Sequence, residues 1–299
     1  MGMLDGKVAV VTGAGRGVGA AHARLLADRG AAVVVNDLGT EIAGSGSDMT
    51  LARVVVDEIT AAGGRAATNT DDVASWAGAK SLVDQAVDDF GRLDILVNNA
   101  GILRDAMSFN LTEADWDAVI RVHLKGHAAT ARFAAEHWRA RSKAGETVAG
   151  RIVNTTSDSG LWGQAGQMNY AAAKSGIVGM TLVLARELRN YGVTANCVAP
   201  RALTRMTSLA PGAEEYMAGP EWSADNVSPV VCWLASDAAA DVSGQVFVVY
   251  GTKVRLIAGF EEVRTIDRDV GRWTPEELVA HKDELFAGRR SKVPRPLGF

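Results

Sequence analysis

Three side chains in the middle of the chain carry the chemistry of an alcohol oxidation: Ser157, Tyr170 and Lys174. Tyr170 opens a helical segment and Lys174 follows one turn later. Residues four apart share a helical face, so the phenol and the ammonium project together. A phenol with an ordinary pKa near ~10 is a poor base at neutral pH. A neighbouring ammonium favours the phenolate and brings that pKa toward the working range. Tyr170 would then take the hydroxyl proton of an alcohol while hydride departs, or return it in a reduction. Ser157 would hydrogen-bond the reacting oxygen and hold it in place. A tyrosine and a lysine at this spacing also occur on the surface of an amphipathic helix. The pattern gains meaning from the segments that stand before it.

A departing hydride needs an acceptor. The run Thr12-Gly13-Ala14-Gly15-Arg16-Gly17-Val18-Gly19 leads from an apolar strand into a helix. Gly13, Gly17 and Gly19, with Arg16 and Val18 between them, form a turn tight enough for a pyrophosphate to approach a helix N-terminus. Free N–H groups and the helix dipole favour the anion there. Asp37 ends the second strand. A carboxylate at that place accepts hydrogen bonds from the adenosine ribose and repels a 2′-phosphate, which favours NAD(H) over NADP(H). Arg16 pulls the other way, since a basic side chain in this loop can meet a 2′-phosphate. The competing reading of Asp37 is a loop-start residue capping its own turn. Asp72 and Val73 follow the third strand, where they meet an adenine or simply make a turn. Lys174 has a second use, holding the nicotinamide ribose.

These groups need a rigid frame. The segments 7–12, 32–37, 93–98, 151–156, 193–198 and 245–249 are short, β-branched and continuously apolar, as in strands covered on both faces. Helical-period segments separate them. Segment 50–62 places Leu51, Val54, Val55 and Ile59 on one face, and 81–90 does the same with Leu82, Val83, Ala86, Val87 and Phe90. Thr112 and Asp115 read as a capping box. The expected fold is α/β, a Rossmann-like doubly wound parallel sheet with right-handed crossovers, in a single domain with a C-terminal extension. The domain is expected over 1–250, with a substrate loop at 201–226. The extension, 251–299, follows the end of the sheet pattern and packs on the domain or on a neighbouring subunit. Within it, Thr274, Pro275 and Glu277 signal a helix over about 275–286.

Composition narrows the function. The chain has 299 residues, 47% hydrophobic and 22% charged, enough for a sizeable core. Its net charge of −4 argues against a nucleic-acid surface. The basic residues Arg289, Arg290, Lys292 and Arg295 read as a solvated tail. Cys197 and Cys232 sit in apolar stretches, as free thiols of a reducing compartment do. No signal peptide or membrane-spanning run is visible, and Gly6 stands where a myristoylation signal needs Ser or Thr. A cytoplasmic enzyme without membrane attachment is expected. His123 and His127 have zinc-ligand spacing, but HLKGH lacks the Glu of H-E-x-x-H and no third ligand is placed, so no metal is expected.

From about Leu4 to Gly251 the sequence resembles the short-chain dehydrogenase/reductase family. The resemblance rests on TGAGRGVG, NNAG (Asn98, Asn99, Ala100, Gly101), Ser157, YAAAK (Tyr170 to Lys174) and the VAP turn ending at Pro200. VVVNDLG, NNAGILRD, DWDAVIRVHLKG and GQMNYAAAK narrow it to the (3R)-hydroxyacyl-CoA dehydrogenase domain of multifunctional β-oxidation enzymes. That branch implies NAD⁺, oxidation of a 3-hydroxyacyl thioester, and a homo-oligomer, dimer or tetramer, formed through the helices of Tyr170 and His123. It also implies cofactor contacts from Asn99, Ala100, Gly101, Pro200 and Thr204. Two positions depart from the family pattern. His123 replaces the usual Asn of a proton relay, and either relays protons itself or is a packing histidine. Arg201 replaces the Gly after the VAP proline, and either meets a CoA phosphate or is a salt-bridged loop residue. Trp162 is either a substrate wall or a packed side chain.

The first expectation is therefore an NAD-dependent oxidoreductase acting on a secondary alcohol, a 3-hydroxyacyl-CoA foremost. A hydroxysteroid or other secondary-alcohol dehydrogenase, or a 3-oxoacyl-ACP reductase, is the enzymatic alternative. A non-catalytic dinucleotide sensor on the same fold is the alternative from a different class.

Overall fold

A computed structural model of the chain describes residues 2–209, 212–268 and 270–289. Eight strands are present: β1 (Val8–Thr12), β2 (Ala32–Asn36), β3 (Arg65–Asn69), β4 (Ile95–Asn98), β5 (Arg151–Thr155), β6 (Thr194–Pro200), β7 (Val246–Tyr250) and β8 (Lys253–Ile257). They form one sheet in the order β3-β2-β1-β4-β5-β6-β7-β8. All neighbours run parallel except β7 and β8. The helices are α1 (Gly17–Asp28), α2 (Thr50–Ala61), α3 (Trp76–Phe90), α4 (Glu113–Ile120), α5 (Gly126–Lys143), α6 (Asp158–Trp162), α7 (Met168–Glu187), α8 (Ala213–Tyr216), α9 (Ser228–Leu234), α10 (Pro275–Ala280) and α11 (Lys282–Phe286).

Side chains alternate along each strand, and the two faces build two cores. Val11, Val33, Val35 and Val97 pack with Leu26 of α1, Val55 and Ile59 of α2 and Val231 of α9. Val8, Val10, Val34 and Leu96 pack with Leu82 of α3 and Phe133 and Trp138 of α5. This is the doubly wound Rossmann-like fold. Its strand order reverses between β1 and β4, and a sheet of this kind opens a crevice at the carboxyl ends of the strands on either side of the reversal.

β3 is an edge strand with only Asn69 buried, so it lacks a continuous apolar run. Three local expectations change. Val54 is 52% exposed, while Ala52, Val55 and Ile59 carry the buried face of α2; Val54 lies a step around the helix from them. Thr112 caps the Asp115 amide, but Asp115 takes the Thr112 hydroxyl and Arg104 rather than the Thr112 amide, so only half the capping box forms. The sheet pattern also continues past Gly251. Gly251 adopts a left-handed φ of 51° and turns the chain back into β8, whose apolar and charged residues alternate as an edge strand requires.

The chain divides into two compact units, Met1–Ile257 and Ala258–Phe299. In the second, Thr274 and Glu277 complete a capping box ahead of α10. The helix expected over 275–286 breaks at His281, whose Nδ1 lies 2.8 Å from the Glu277 carbonyl. Arg290, Lys292 and Arg295 lie outside the described residues. Among the described residues no helix is long and apolar enough to cross a membrane, and no group of three or more metal-binding side chains converges.

Candidate active site

At the reversal point the ends of β1 and β4 are tied together by side chains. The Thr12 hydroxyl accepts the amides of Asn99 (2.9 Å) and Ala100 (3.1 Å). The Asn99 side-chain amide donates back to the carbonyls of Thr12 (3.1 Å) and Gly13 (3.0 Å). Chain turns here are too tight for side chains. A Cβ on Gly13 would stand 2.7 Å from the Ala100 backbone, and one on Gly19 would stand 2.2 Å from the Gly13 carbonyl. Gly17 adopts φ +54° and begins α1, whose N-terminus has no side-chain cap. Its first amides are thus free for an anion.

A cavity of about 310 Å³ runs from this turn to Ser157, Tyr170 and Lys174. Gly13, Arg16, Gly17, Val18, Asp37, Asp72 and Val73 line one end. Asn99, Ala100, Gly101, Pro200 and Thr204 line its middle, and His123, Ser157, Tyr170 and Lys174 the other end. Of the catalytic and cofactor residues named from the sequence, Gly19 alone stays off the wall; it supports the turn from behind.

Asp37 does two things at once. Its carboxylate accepts the Gly15 amide (2.8 Å) and the Gly39 amide (2.7 Å), so it caps its own turn while facing the cavity. Arg16 donates to the Thr40 carbonyl at 2.8 Å, which draws its guanidinium along the rim. Asp72 accepts the Ala74 amide at 2.9 Å and pairs with Arg121. It is thus a turn residue that also lines the cavity.

Ser157 caps α6 by accepting the Ser159 amide at 3.2 Å, and its side chain acts to favour the phenolate of Tyr170. Tyr170 and Lys174 stand on α7, and α6 packs so closely on it that a Cβ on Gly160 would lie 2.6 Å from that of Lys174. The fully buried Lys174 ammonium donates to the Thr155 carbonyl at 2.7 Å and lies 5.6 Å from the centre of the Tyr170 ring. The expected lowering of the tyrosine is reversed here. Burial pushes the Tyr170 phenol up to about 12, with Ser157 opposing. Burial also brings Lys174 down to about 7, so near neutrality it is only partly charged and cannot outweigh the desolvation of the phenol.

His123 sits in a π-helical turn, Arg121–Lys125, between α4 and α5. Such turns re-aim side chains. The buried imidazole packs edge-on against Tyr170 with centroids 5.1 Å apart, and its Nε2 lies 2.8 Å from the Ile102 carbonyl. Its Nδ1 is buried without a partner. Burial, then Lys174, holds it well below the usual histidine range, so the ring is neutral. Arg201 is salt-bridged to Asp158, with its side chain 11% exposed. Trp162, half-buried, packs with Tyr250 and Trp222 at the edge of the sheet and does not line the cavity.

Several participants escaped the sequence reading. The Gly/Ser-rich stretch after β2 folds over the cavity with Thr40, Glu41, Ile42 and Gly44, held where the Leu103 amide donates to Ile42 at 2.9 Å. Its turn-rich composition marked a loop but not where the loop goes. A buried polar chain ties β4 and β5 to α5 and α7. Thr130 donates to Asn98 (2.7 Å), Asn98 to Asn154 (2.9 Å), and Asn154 to Thr181 (2.9 Å). Asparagines inside apolar strand runs were the available signal, since buried amides need partners.

Residues 7–213 match the family described as short chain dehydrogenase. A hydroxyacyl-CoA dehydrogenase of Mycobacterium tuberculosis, ChsB1, is 47% identical over 300 residues, covering 96% of this chain and 90% of that protein. The peroxisomal multifunctional enzyme type 2 of Mus musculus is 43% identical over 81% of this chain, which spans only 31% of the mouse protein. A crystal structure of a short chain dehydrogenase from Mycobacterium avium superposes with a TM-score of 0.87 at 48% identity, covering 99% of this chain and 100% of that one. Another, from Burkholderia cenocepacia in complex with NADP, gives 0.72 at 34% identity, covering 83% and 98%.

Proposed function

The chain belongs to the short-chain dehydrogenase family, and on that premise we propose that it is an NAD⁺-dependent dehydrogenase of 3-hydroxyacyl-CoA thioesters. The family uses a nicotinamide dinucleotide, and this chain is an oxidoreductase acting on a CH–OH donor. The single observation that carries the reading is the convergence of Ser157, Tyr170 and Lys174 at one end of a cavity whose other end holds Asp37 and the free N-terminus of α1.

The glycine turn fits a pyrophosphate, because its missing side chains leave the α1 amides open. Asp37 supports NAD⁺: the Gly15 and Gly39 amides hold its carboxylate at the cavity wall, where it would meet a 2′-phosphate as a like charge. When bound, the nicotinamide supplies the hydride acceptor. Ser157 holds the substrate hydroxyl against Tyr170, and Tyr170 takes its proton. Lys174 stabilises the phenolate in proportion to its own charge. His123, neutral and with a free nitrogen on the ring packed against Tyr170, passes that proton onward.

A second reading, a reductase using NADPH, draws support from Arg16 on the cavity rim and from the NADP in the Burkholderia structure. Purified protein supplied with 3-hydroxyacyl-CoA esters and either cofactor separates the two. NAD⁺ reduction is expected; if no ester of any chain length reduces NAD⁺, the reading is wrong.

A further inference from the structure

Outside the cavity, the densest unexplained charge surrounds Tyr250 at the end of β7. Three cations lie around its ring: Arg201 at 5.1 Å, Lys253 at 5.3 Å and Arg255 at 5.1 Å from the centroid. Trp222 stacks on the same ring at 5.9 Å and 11°, so aromatic contact with the cations is shared with a fourth group. Arg201 has a counter-charge in Asp158. Asp158 also attracts Arg255, but among the described residues no carboxylate lies within ion-pair distance of Lys253 or Arg255. Arg255 donates to the Tyr250 hydroxyl at 2.5 Å. Glu221 is the other acid nearby, lying against Gly251. Like charges gathered around one ring, with Lys253 exposed and Arg255 half-buried, repel one another unless an anion joins them.

The placement leads to the catalytic end. Lys253, Arg255 and Ile257 share one face of β8, since alternate strand residues point the same way. Ile257 packs in the apolar cluster that also holds Leu161 and Trp162 of α6. That helix begins at Asp158, immediately after Ser157, and Asp158 bonds Arg201 while leaving its Oδ1 buried and unpartnered. The cations thus sit on the flank of the catalytic serine, on the side away from the dinucleotide turn.

We propose that Lys253 and Arg255, anchored beside Arg201, form an anion subsite that receives the phosphate-bearing arm of the coenzyme A thioester. This rests on the acyl-CoA reading above. Coenzyme A fits because it carries a diphosphate and a further phosphate on an arm that extends away from the reacting carbon. Paired cations with free N–H donors hold phosphate by charge-assisted hydrogen bonds.

The test compares a 3-hydroxyacyl-CoA with the matching pantetheine thioester, which has the same reacting end and no phosphates. The wild type is expected to favour the CoA ester in KM by about tenfold, the scale of charge-assisted contacts. In K253Q/R255Q that ratio is expected to fall toward one. Equal KM values in the wild type, or an undiminished ratio in the variant, would overturn the subsite while leaving the dehydrogenase reading intact. Failure of both esters to reduce NAD⁺ would remove the reading and the subsite with it. Should the variant not fold, the wild type alone decides. Free coenzyme A is expected to compete with the substrate far better than pantetheine, and equal competition would overturn the subsite.

Discussion

The Lys174 ammonium lies 5.6 Å from the centre of the Tyr170 ring, yet it points into the protein and donates to the Thr155 carbonyl at 2.7 Å. Tyr170 keeps part of its surface open to the cavity, but its phenol is enclosed and stands at about 12. The phenol is therefore protonated at neutral pH, and oxidation needs it deprotonated. The oxidative kcat/KM is expected to climb steadily with pH from 7 to at least about 9, while the reductive rate, which uses the protonated phenol, is not lowered by Tyr170 over that range. A profile flat across that range would contradict this. Tyr170→Phe is expected to lower kcat by about 10³-fold.

Lys174 is also a stability element. Its pKa is 10.5 when exposed and about 7 in the fold. Between these values the unfolded chain binds the proton and the folded one does not, so this group makes stability rise with pH. The full cost of burying the charge is felt below pH 7. From pH 7 to 9 the gain is about 2 kcal/mol, since Lys174 is still half protonated in the fold at pH 7. Cys197 and Tyr170, both pushed up to about 12, oppose it above their ordinary values. Lys174→Met is expected to be inactive but more stable at pH 7, and to lose this rise in urea titrations. A variant less stable than wild type at pH 7 would contradict the assignment.

Asp37 links cofactor choice to the shape of the turn. Asp37→Ala is expected to narrow the NAD⁺ over NADP⁺ preference by at least about tenfold. Because the Gly15 and Gly39 amides lose their acceptor, it is also expected to cost about 1–3 kcal/mol of stability. Unchanged selectivity would mean that the carboxylate serves the turn alone. Titration of both cofactors, with thermal melts of the same samples, reads the two effects.

Gly101 has no room for a side chain because a Cβ would stand 2.2 Å from Cε1 of His123. Gly101→Ala must therefore displace the imidazole. A loss of about tenfold or more in kcat is expected if the ring serves the proton path. His123→Ala in the same background relieves the clash, so it should recover stability but not rate. Recovery of both would make His123 a packing residue.

The sequence was most legible where chemistry demands a particular side chain. Ser157, Tyr170, Lys174, Asp37 and the glycine turn were singled out by residue type and spacing, and the structure brings them to one cavity. What distance and burial decide was hidden. The direction of the Tyr170 shift depends on how deeply α7 sits, which no spacing encodes. Thr12 reads as the last residue of a strand, and only the adjacency of β1 and β4 shows it gathering the Asn99 and Ala100 amides. β8 was missed because its exposed alternation is weak beside the buried strands, although Gly251 before Thr252 marked the turn. Arg201 had two readings, and only the placement of α6 beside β6 pairs it with Asp158.

The most direct measurement is the rate of cofactor reduction with (3R)-3-hydroxyacyl-CoA, taken with NAD⁺ and NADP⁺ side by side and repeated with the (3S) ester and a hydroxysteroid. Turnover of the (3R) thioester with a marked preference for NAD⁺ is the expected result. Turnover of the steroid alone, or of the thioester with NADP⁺ alone, would contradict the account.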